Sequence, residues 1–358
     1  MVLDDLLHKS DLSKEEVILL LQLQNKVDLE KLIKRADEVR KQYCGDEVHL
    51  RGIIEFSNNC EQECLYCGLR KGNYALSRYR MNEVEIIRAA KDIIALGIKT
   101  IVLQSGEDFY YSGSYFARVI SGIKNIADVA ITISVGERDF SDYKLWRQAG
   151  ADRYLLKHET ANPKLYSIYH QRQKLLDRIK HLRFLKSIGF QIGSGNIIGL
   201  PHQTNEDIAD DILLCKELNV DMASFSPFIP SENTPYSNKE KCSVELVIKT
   251  LALTRIVLKD AYIPATTALA TLDLQGREMA LNAGANVIMP NFTPHPFKEN
   301  YLIYANKNRA DADDDAGNLE LIKKIINSAG RKIGESQGHS LKINNAHCTI
   351  NNLTIKQS

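Results

Sequence analysis

Four times in this chain a helical pattern runs out at a glycine and an apolar run begins at once: LGIKT at Gly97, AGADRY at Gly150, IGFQI at Gly189 and AGANVI at Gly284. Glycine in that place is a helix stop, because the residue after the last turn takes a left-handed conformation that other residues adopt only with strain. A helix that stops and hands over directly to a strand, repeatedly, implies parallel strands joined by crossover helices. Eight strands follow from the rhythm: Val48 to Phe56, Thr100 to Gln104, Val129 to Val135, Arg153 to His158, Gln191 to Ile197, Met222 to Pro227, Ile263 to Ala268 and Asn286 to Met289. The helices between them are Glu83 to Leu96, Tyr115 to Ile126, Ser141 to Ala149, Leu175 to Ile188, Asn205 to Leu218, Val244 to Val257 and Arg277 to Asn282. Eight such units predict an α/β fold, a (β/α)8 TIM barrel, with an open doubly wound sheet as the alternative.

The barrel is expected over 47–300. Before it, 1–46 reads as a helical extension, opening one helix at Ser13 with a capping box to Glu16 and packing across the barrel's amino-terminal end. After it, 301–358 reads as a short carboxyl-terminal extension: a polar surface loop to Asp315, a closing helix from Asn318 to Ala329, and a polar tail, INNAHCTINNLTIKQS, that forms a hairpin or is partly mobile.

The hydrophobic fraction of 44%, the charged fraction of 25% and a net charge of +1 imply neither nucleic acid nor an anionic membrane as partner. Apolar runs such as Val17 to Leu21 are too short to span a bilayer, and the acidic start MVLDDLLHKS has no basic region ahead of an apolar one. Seven cysteines is an odd number, and Cys44, Cys215, Cys242 and Cys348 are scattered without pairing logic. A reducing, cytoplasmic setting is expected.

The remaining three cysteines, Cys60, Cys64 and Cys67 in NNCEQECLYCGLR, form a CxxxCxxC run on the loop after the first strand. Thiolates suit iron–sulfur centres, and this run can bind three irons of a four-iron four-sulfur cluster while leaving the fourth open to a small chelating molecule. Zinc ribbons need two CxxC pairs and two-cluster ferredoxins a longer run, while a redox CxxC pair at Cys64 and Cys67 stays open. Buried packing is the bland alternative for cysteine, and Glu61, Gln62, Glu63 and Arg70 make the segment too polar for it.

Barrel active sites stand at the carboxyl ends of the strands. The second strand ends in Gln104-Ser105-Gly106-Glu107-Asp108, where acidic groups could cradle an amine or merely begin a helix. The fourth ends in Lys157-His158-Glu159-Thr160; a lone histidine is more often structural, which leaves Glu159 as the better ligand, for instance to a ribose hydroxyl. In Gly193-Ser194-Gly195-Asn196-Ile197-Ile198-Gly199 the glycines would let a flat ligand or another backbone come close. Thr266, Thr267, Met289 and Tyr301 are pocket candidates through their placement at strand ends.

With the cysteine loop, Tyr66 just before its third cysteine, and the downstream GNIIGLP, the chain resembles the radical S-adenosylmethionine (SAM) enzymes. IIEFSNNC, CLYCGLRKGN, RYRM, KTIVLQSGED, GADRYLLKHETANP, IPATTALA and GANVIMPN resemble the HydE-type maturases of iron-iron hydrogenase, relatives of biotin synthase and methylornithine synthase. The resemblance, over about Val48 to Tyr301, implies one 4Fe-4S cluster on Cys60, Cys64 and Cys67, with SAM chelating the open iron. One electron would cleave SAM to methionine and a 5′-deoxyadenosyl radical. It further implies that Tyr66, Gln104, Glu159, Arg178, Ile198 and Met222 contact SAM, Arg178 pairing with its carboxylate. The substrate would lie against Ser105, Arg153, Thr266, Thr267, Met289 and Tyr301, with Arg153 holding a carboxylate. The implied partners are a small-molecule or organometallic substrate, a cysteine-derived, sulfur-bearing iron complex on the way to the di-iron subcluster; a reduced ferredoxin or flavodoxin; and other hydrogenase maturases. Some members carry a second cysteine set after the eighth strand, but 301–315 contains no cysteine, so a single cluster is expected. A sulfur inserter like biotin synthase, a carbon-skeleton mutase, and an iron–sulfur scaffold without radical turnover are the rival functions.

Overall fold

The computed structural model describes residues 3–307 and 315–342. Three helices come first: α1 (Leu3–Leu7), α2 (Lys14–Leu21) and α3 (Lys26–Cys44). Ser13 and Glu16 form the capping box of α2. The repeating part follows as β1 (Glu47–Leu50), β2 (Gly52–Ser57), α4 (Glu83–Ala95), β3 (Thr100–Ser105), α5 (Gly113–Lys124), β4 (Ala130–Ser134), α6 (Phe140–Gln148) and β5 (Arg153–Leu155). It continues as α7 (Pro163–Tyr169), α8 (Leu175–Ser187), β6 (Gln191–Ser194), β7 (Ile197–Ile198), α9 (Asn205–Glu217), β8 (Met222–Ala223), β9 (Ser226–Pro227) and α10 (Val244–Val257). Then come α11 (Thr267–Leu272), α12 (Gly276–Asn282), β10 (Val287–Ile288), α13 (Asp315–Ser328) and β11 (Lys332–Ile333). Gly97, Gly150, Gly189 and Gly284 all have positive φ, between 78° and 106°, which is why the helix-to-strand joints need glycine there.

Six strands lie side by side and parallel in the order β2, β3, β4, β5, β6, β8. The ring closes through a seventh position where Tyr262 bridges Met222 and Pro264 bridges Val287, both parallel, and through β10 paired with β1. This is a (β/α)8 barrel.

Three elements depart from expectation. The first strand is two, because the chain changes neighbours at Arg51: β1 pairs with β10 and β11, and β2 pairs with β3. The seventh run supplies only bridges before its chain turns into α11. Pro264 has no ladder N–H to give, and the Thr266 hydroxyl caps the new helix by accepting from Leu269 N at 3.3 Å. The unexpected α7 opens on Asn162-Pro163, a capping side chain followed by proline in the first turn.

The helices before residue 47 pack on α9, α10 and α12. The segment that crosses the amino-terminal ends of the strands is instead 332–342. Lys332 N donates to Asp46 O (3.2 Å) and Gly334 N to Val48 O (3.0 Å). Gln337 O accepts from Thr100 Oγ1 at 2.8 Å, His339 O from the Tyr262 hydroxyl at 3.2 Å, and Ser340 Oγ donates to Asp221. The expected polar tail from 343 onward, with Cys348, and residues 308–314 of the expected loop lie outside the described residues.

Candidate active site

The cysteine loop leaves β2 at the carboxyl end of the barrel and is tied down by its own main chain. Arg78 donates to four carbonyls of it, those of Asn58 (2.6 Å), Leu69 (2.9 Å), Arg70 (2.7 Å) and Asn73 (3.2 Å). Asn58 donates to Ser77 O at 2.7 Å and to Asn300 O at 2.8 Å, linking the loop to the far end of the barrel sequence. Two glycines allow this closeness. A Cβ on Gly68 would stand 1.9 Å from Leu302 O, and one on Gly106 would stand 2.3 Å from Asn59 O and 2.7 Å from Cys60 Cβ.

The three thiols are half-buried together. Burial pushes Cys60 up to about 11; burial and the charge of Cys60 push Cys67 up to about 12; burial and both other thiols hold Cys64 well above the ordinary range. Three thiolates can coexist here only against a strong positive counter-charge, which a metal centre provides. Among the described residues no three His, Cys, Asp or Glu side chains converge on one ion position.

Beneath the loop a cavity of about 340 Å³ runs into the barrel. Of the residues expected at the site, Cys67, Tyr66, Gln104, Glu159, Arg178, Ser105, Thr266, Thr267, Met289 and Tyr301 line it. Glu159 is the most telling. Its φ is +66°, a conformation that costs a glutamate on the order of 1 kcal/mol or more, and the strain aims a buried carboxylate whose Oε2 has no hydrogen-bond partner among the described residues. A bound hydroxyl or amine would satisfy it. Gln104 Nε2 donates to the Tyr301 hydroxyl at 3.2 Å. Arg178 is not on a solvated helix face: it is buried, donating to Glu137 Oε1 (2.5 Å), Lys157 O (2.8 Å) and Gln173 Oε1 (2.9 Å). Tyr66 and Cys64 share a further neighbour, His170, which burial and Arg178 hold down to about 3.

Three expected residues stand elsewhere. Ile198 is fully buried in packing while its neighbour Ile197 faces the cavity, as alternation along a strand demands. Met222 begins β8 low in the barrel, packed with Tyr262 and Val287, its sulfur 2.7 Å from Arg51 Nη1. Arg153 begins β5 at the opposite end. It is wholly buried and donates to Gln337 O (2.7 Å) and Gly338 O (2.8 Å), so it cannot hold a substrate carboxylate in the cavity. The acidic pair after β3 cradles no amine either: Asp108 accepts from Ser57 (2.7 Å) and Arg80 (2.8 Å), while Glu107 accepts from Gln62, Gln173 and Glu137 N. His158 is structural, its Nδ1 3.0 Å from Ser194 Oγ. Gly195 makes room for a neighbouring strand rather than a flat ligand, since a Cβ there would stand 2.0 Å from Ser224 O.

Sequence reasoning missed two groups. Lys157 lines the cavity with its Nζ 3.3 Å from Ser226 Oγ and 3.7 Å from Glu159 Oε2, and burial lowers its pKa. Glu55 and Lys307 form a buried ion pair at 2.8 Å, joined by Asn291 at 3.0 Å. The acidic residue inside the apolar run GIIEFS was the available signal for that pair.

The chain that builds this geometry, a cysteine loop at the carboxyl-terminal mouth of a parallel barrel with a chamber below it, matches the family model of the Radical SAM superfamily over residues 54–215. The protein is a radical SAM enzyme, a class that carries a 4Fe-4S cluster and uses SAM. Within that class the chain belongs to the HydE family: it is 47% identical over 309 residues to the FeFe hydrogenase maturase subunit HydE of Thermotoga maritima, covering 86% of this chain and 88% of that one. The 3-methylornithine synthase of Methanosarcina acetivorans is 31% identical over 77% of this chain and 79% of its own. The crystal structure of methylornithine synthase (PylB) superposes with a TM-score of 0.80 at 25% identity, covering 94% of this chain and 97% of that one. No helix among the described residues is long and apolar enough to cross a membrane.

Proposed function

We propose that this chain performs the radical step in assembling the di-iron subcluster of iron-iron hydrogenase, acting on a cysteine-derived, sulfur-bearing iron complex in the cytoplasm. The observation that carries the reading is the single chamber that runs from Cys67 and Tyr66 at the mouth to Thr266, Thr267 and Met289 deeper in. A reactive group made at the loop would therefore share one cavity with its substrate, and the lining side chains would orient the two against competing reactions. Cys60, Cys64 and Cys67 would hold the cluster. The chemistry the bound cluster supplies is one electron for cleaving the carbon–sulfur bond of SAM, which leaves methionine and a 5′-deoxyadenosyl radical. Glu159 accepts from a ribose hydroxyl, Tyr66 and Gln104 flank the nucleoside, and Arg178, braced by Glu137 and Gln173, presents its remaining donors to the SAM carboxylate. Ser105, Thr266, Thr267, Met289 and Tyr301 seat the substrate. Lys157 takes the carboxylate-holding part that resemblance gave to Arg153: its amine lines the chamber beside Ser226, whereas the other lining lysine, Lys307, is committed to Glu55.

A sulfur inserter of the biotin synthase type would need a second set of metal ligands in the barrel. None of the other described cysteines, Cys44, Cys215 and Cys242, lines the chamber. Partners consistent with this role are a reduced ferredoxin or flavodoxin as electron donor and the other hydrogenase maturases.

The test is anaerobic reconstitution followed by reduction in the presence of SAM. About four irons per chain and release of 5′-deoxyadenosine are expected. An intact cluster without that release would leave only a scaffold or carrier. Release of 5′-deoxyadenosine together with failure to restore hydrogenase activation in a maturation mixture lacking HydE would overturn the assignment of substrate.

A further inference from the structure

His170 caps α7 and is buried between two residues of the cysteine loop. Its Nδ1 lies 3.3 Å from Cys64 Sγ and its Nε2 lies 3.0 Å from the Tyr66 hydroxyl. The ring is held in plane by stacking on Tyr166, with centroids 4.6 Å apart, and meets Tyr66 edge-on at 5.6 Å. A metal-bound thiolate can only accept, whereas a phenol can donate. One arrangement of a neutral imidazole satisfies both contacts: the Tyr66 O–H donates to Nε2, and Nδ1–H donates to Cys64 Sγ.

From this geometry we infer that His170 is a positioning residue that tunes the cluster's electron affinity through an N–H···S hydrogen bond to Cys64, its tautomer fixed by Tyr66. The inference rests on the reading that Cys60, Cys64 and Cys67 hold a cluster. An N–H aimed at a ligating sulfur stabilises the reduced, more negative state, and hydrogen bonds to the sulfurs are among the determinants of an iron–sulfur potential. Tyr66 lines the chamber and His170 does not, so the ring also connects a wall of the cofactor pocket to one cluster ligand. If the ring only filled space between α7 and the loop, phenylalanine would replace it without electronic effect.

The experiment is a redox titration of the anaerobically reconstituted full chain, followed by electron paramagnetic resonance without SAM. His170→Phe is expected to lower the potential by the equivalent of a tenfold smaller reduced-to-oxidised ratio at fixed poise, about 59 mV for a one-electron couple. His170→Gln, whose amide can donate to sulfur and accept from Tyr66, is expected to recover most of that shift. Tyr66→Phe, which frees the tautomer, is expected to fall between. In parallel, wild-type protein labelled with 15N-histidine should show hyperfine coupling of one histidine nitrogen to the reduced cluster, a measurement that does not depend on any variant folding. A His170→Phe protein that keeps its irons and titrates at the wild-type potential overturns the inference, as does an absent nitrogen coupling in the wild type. A wild-type chain that takes up no cluster overturns the underlying reading, and this inference with it.

Discussion

The two ends of the barrel handle buried charge in opposite ways. At the amino-terminal end Arg153 spends its guanidinium on the carbonyls of residues 337 and 338. At the carboxyl-terminal end, charge is left partly unanswered: Glu159, in a strained backbone, has its Oε2 buried without a hydrogen bond among the described residues, and its ion-pair partner 3.7 Å away is an amine whose charge burial disfavours. Both ends contain a buried arginine, Arg153 at one and Arg178 at the other, so residue type does not decide the role. Height in the barrel does. A charge answered by backbone, as at Arg153, holds the fold together; one left open on the chamber wall, as at Glu159, is held ready for something that is not protein.

The largest effect is expected where the open end meets its metal. Cys64→Ala should drop iron far below four per chain and reduce 5′-deoxyadenosine to background, measured by iron assay and chromatography. Arg153→Met should act on stability instead, leaving the Gly338 carbonyl buried without its donor while Gln337 O keeps Thr100 Oγ1, and costing about 2 kcal/mol in urea unfolding, with 5′-deoxyadenosine formed per cluster unchanged. A collapse of turnover in a stably folded Arg153→Met protein would break the division between the ends.

A smaller effect belongs to pH at the closed end. His49 lies beneath Gly334 and Gly338, and burial, then the neighbouring Arg51, lowers it to about 4. Its folded pKa is below the unfolded one, so the unfolded chain binds more protons between pH 6.5 and 4. The stability is therefore complete above the ordinary histidine pKa and is lost as pH falls through that window. Between pH 7.5 and 5 the loss should be about 2 kcal/mol smaller in His49→Gln than in wild type, read from urea midpoints. The smallest stability effect sharpens the other side. Glu159→Gly should relieve the left-handed strain and gain about 1 kcal/mol, while the KM for SAM rises roughly tenfold. A Glu159→Gly protein that loses stability would mean the carboxylate is structural after all.

The strands could be read because each helix-to-strand joint carries its own local signal in a glycine. The partner change at Arg51 could not, since pairing is set by residues 287 and 332, far away in sequence. The site divides in the same way. Spacing alone marks Cys60, Cys64 and Cys67, and a polar run at a strand end marks Glu159. Height and facing are invisible in a run of letters, which is why Arg153, Met222 and Ile198 were grouped with the pocket and Lys157 was passed over. His170 carried no signal at all, because both its contacts cross about a hundred residues.

The strap formed by 332–342 has a consequence for how the molecule is made. Synthesis runs from the amino terminus, so every strand this strap covers leaves the ribosome before the strap itself. Until then the lower edge of β1 lacks β11, and the Arg153 guanidinium lacks two of its carbonyls. The nascent barrel therefore waits with an unfinished underside, and the contacts that complete it are among the longest-range in the chain, which places their formation late and makes it slow.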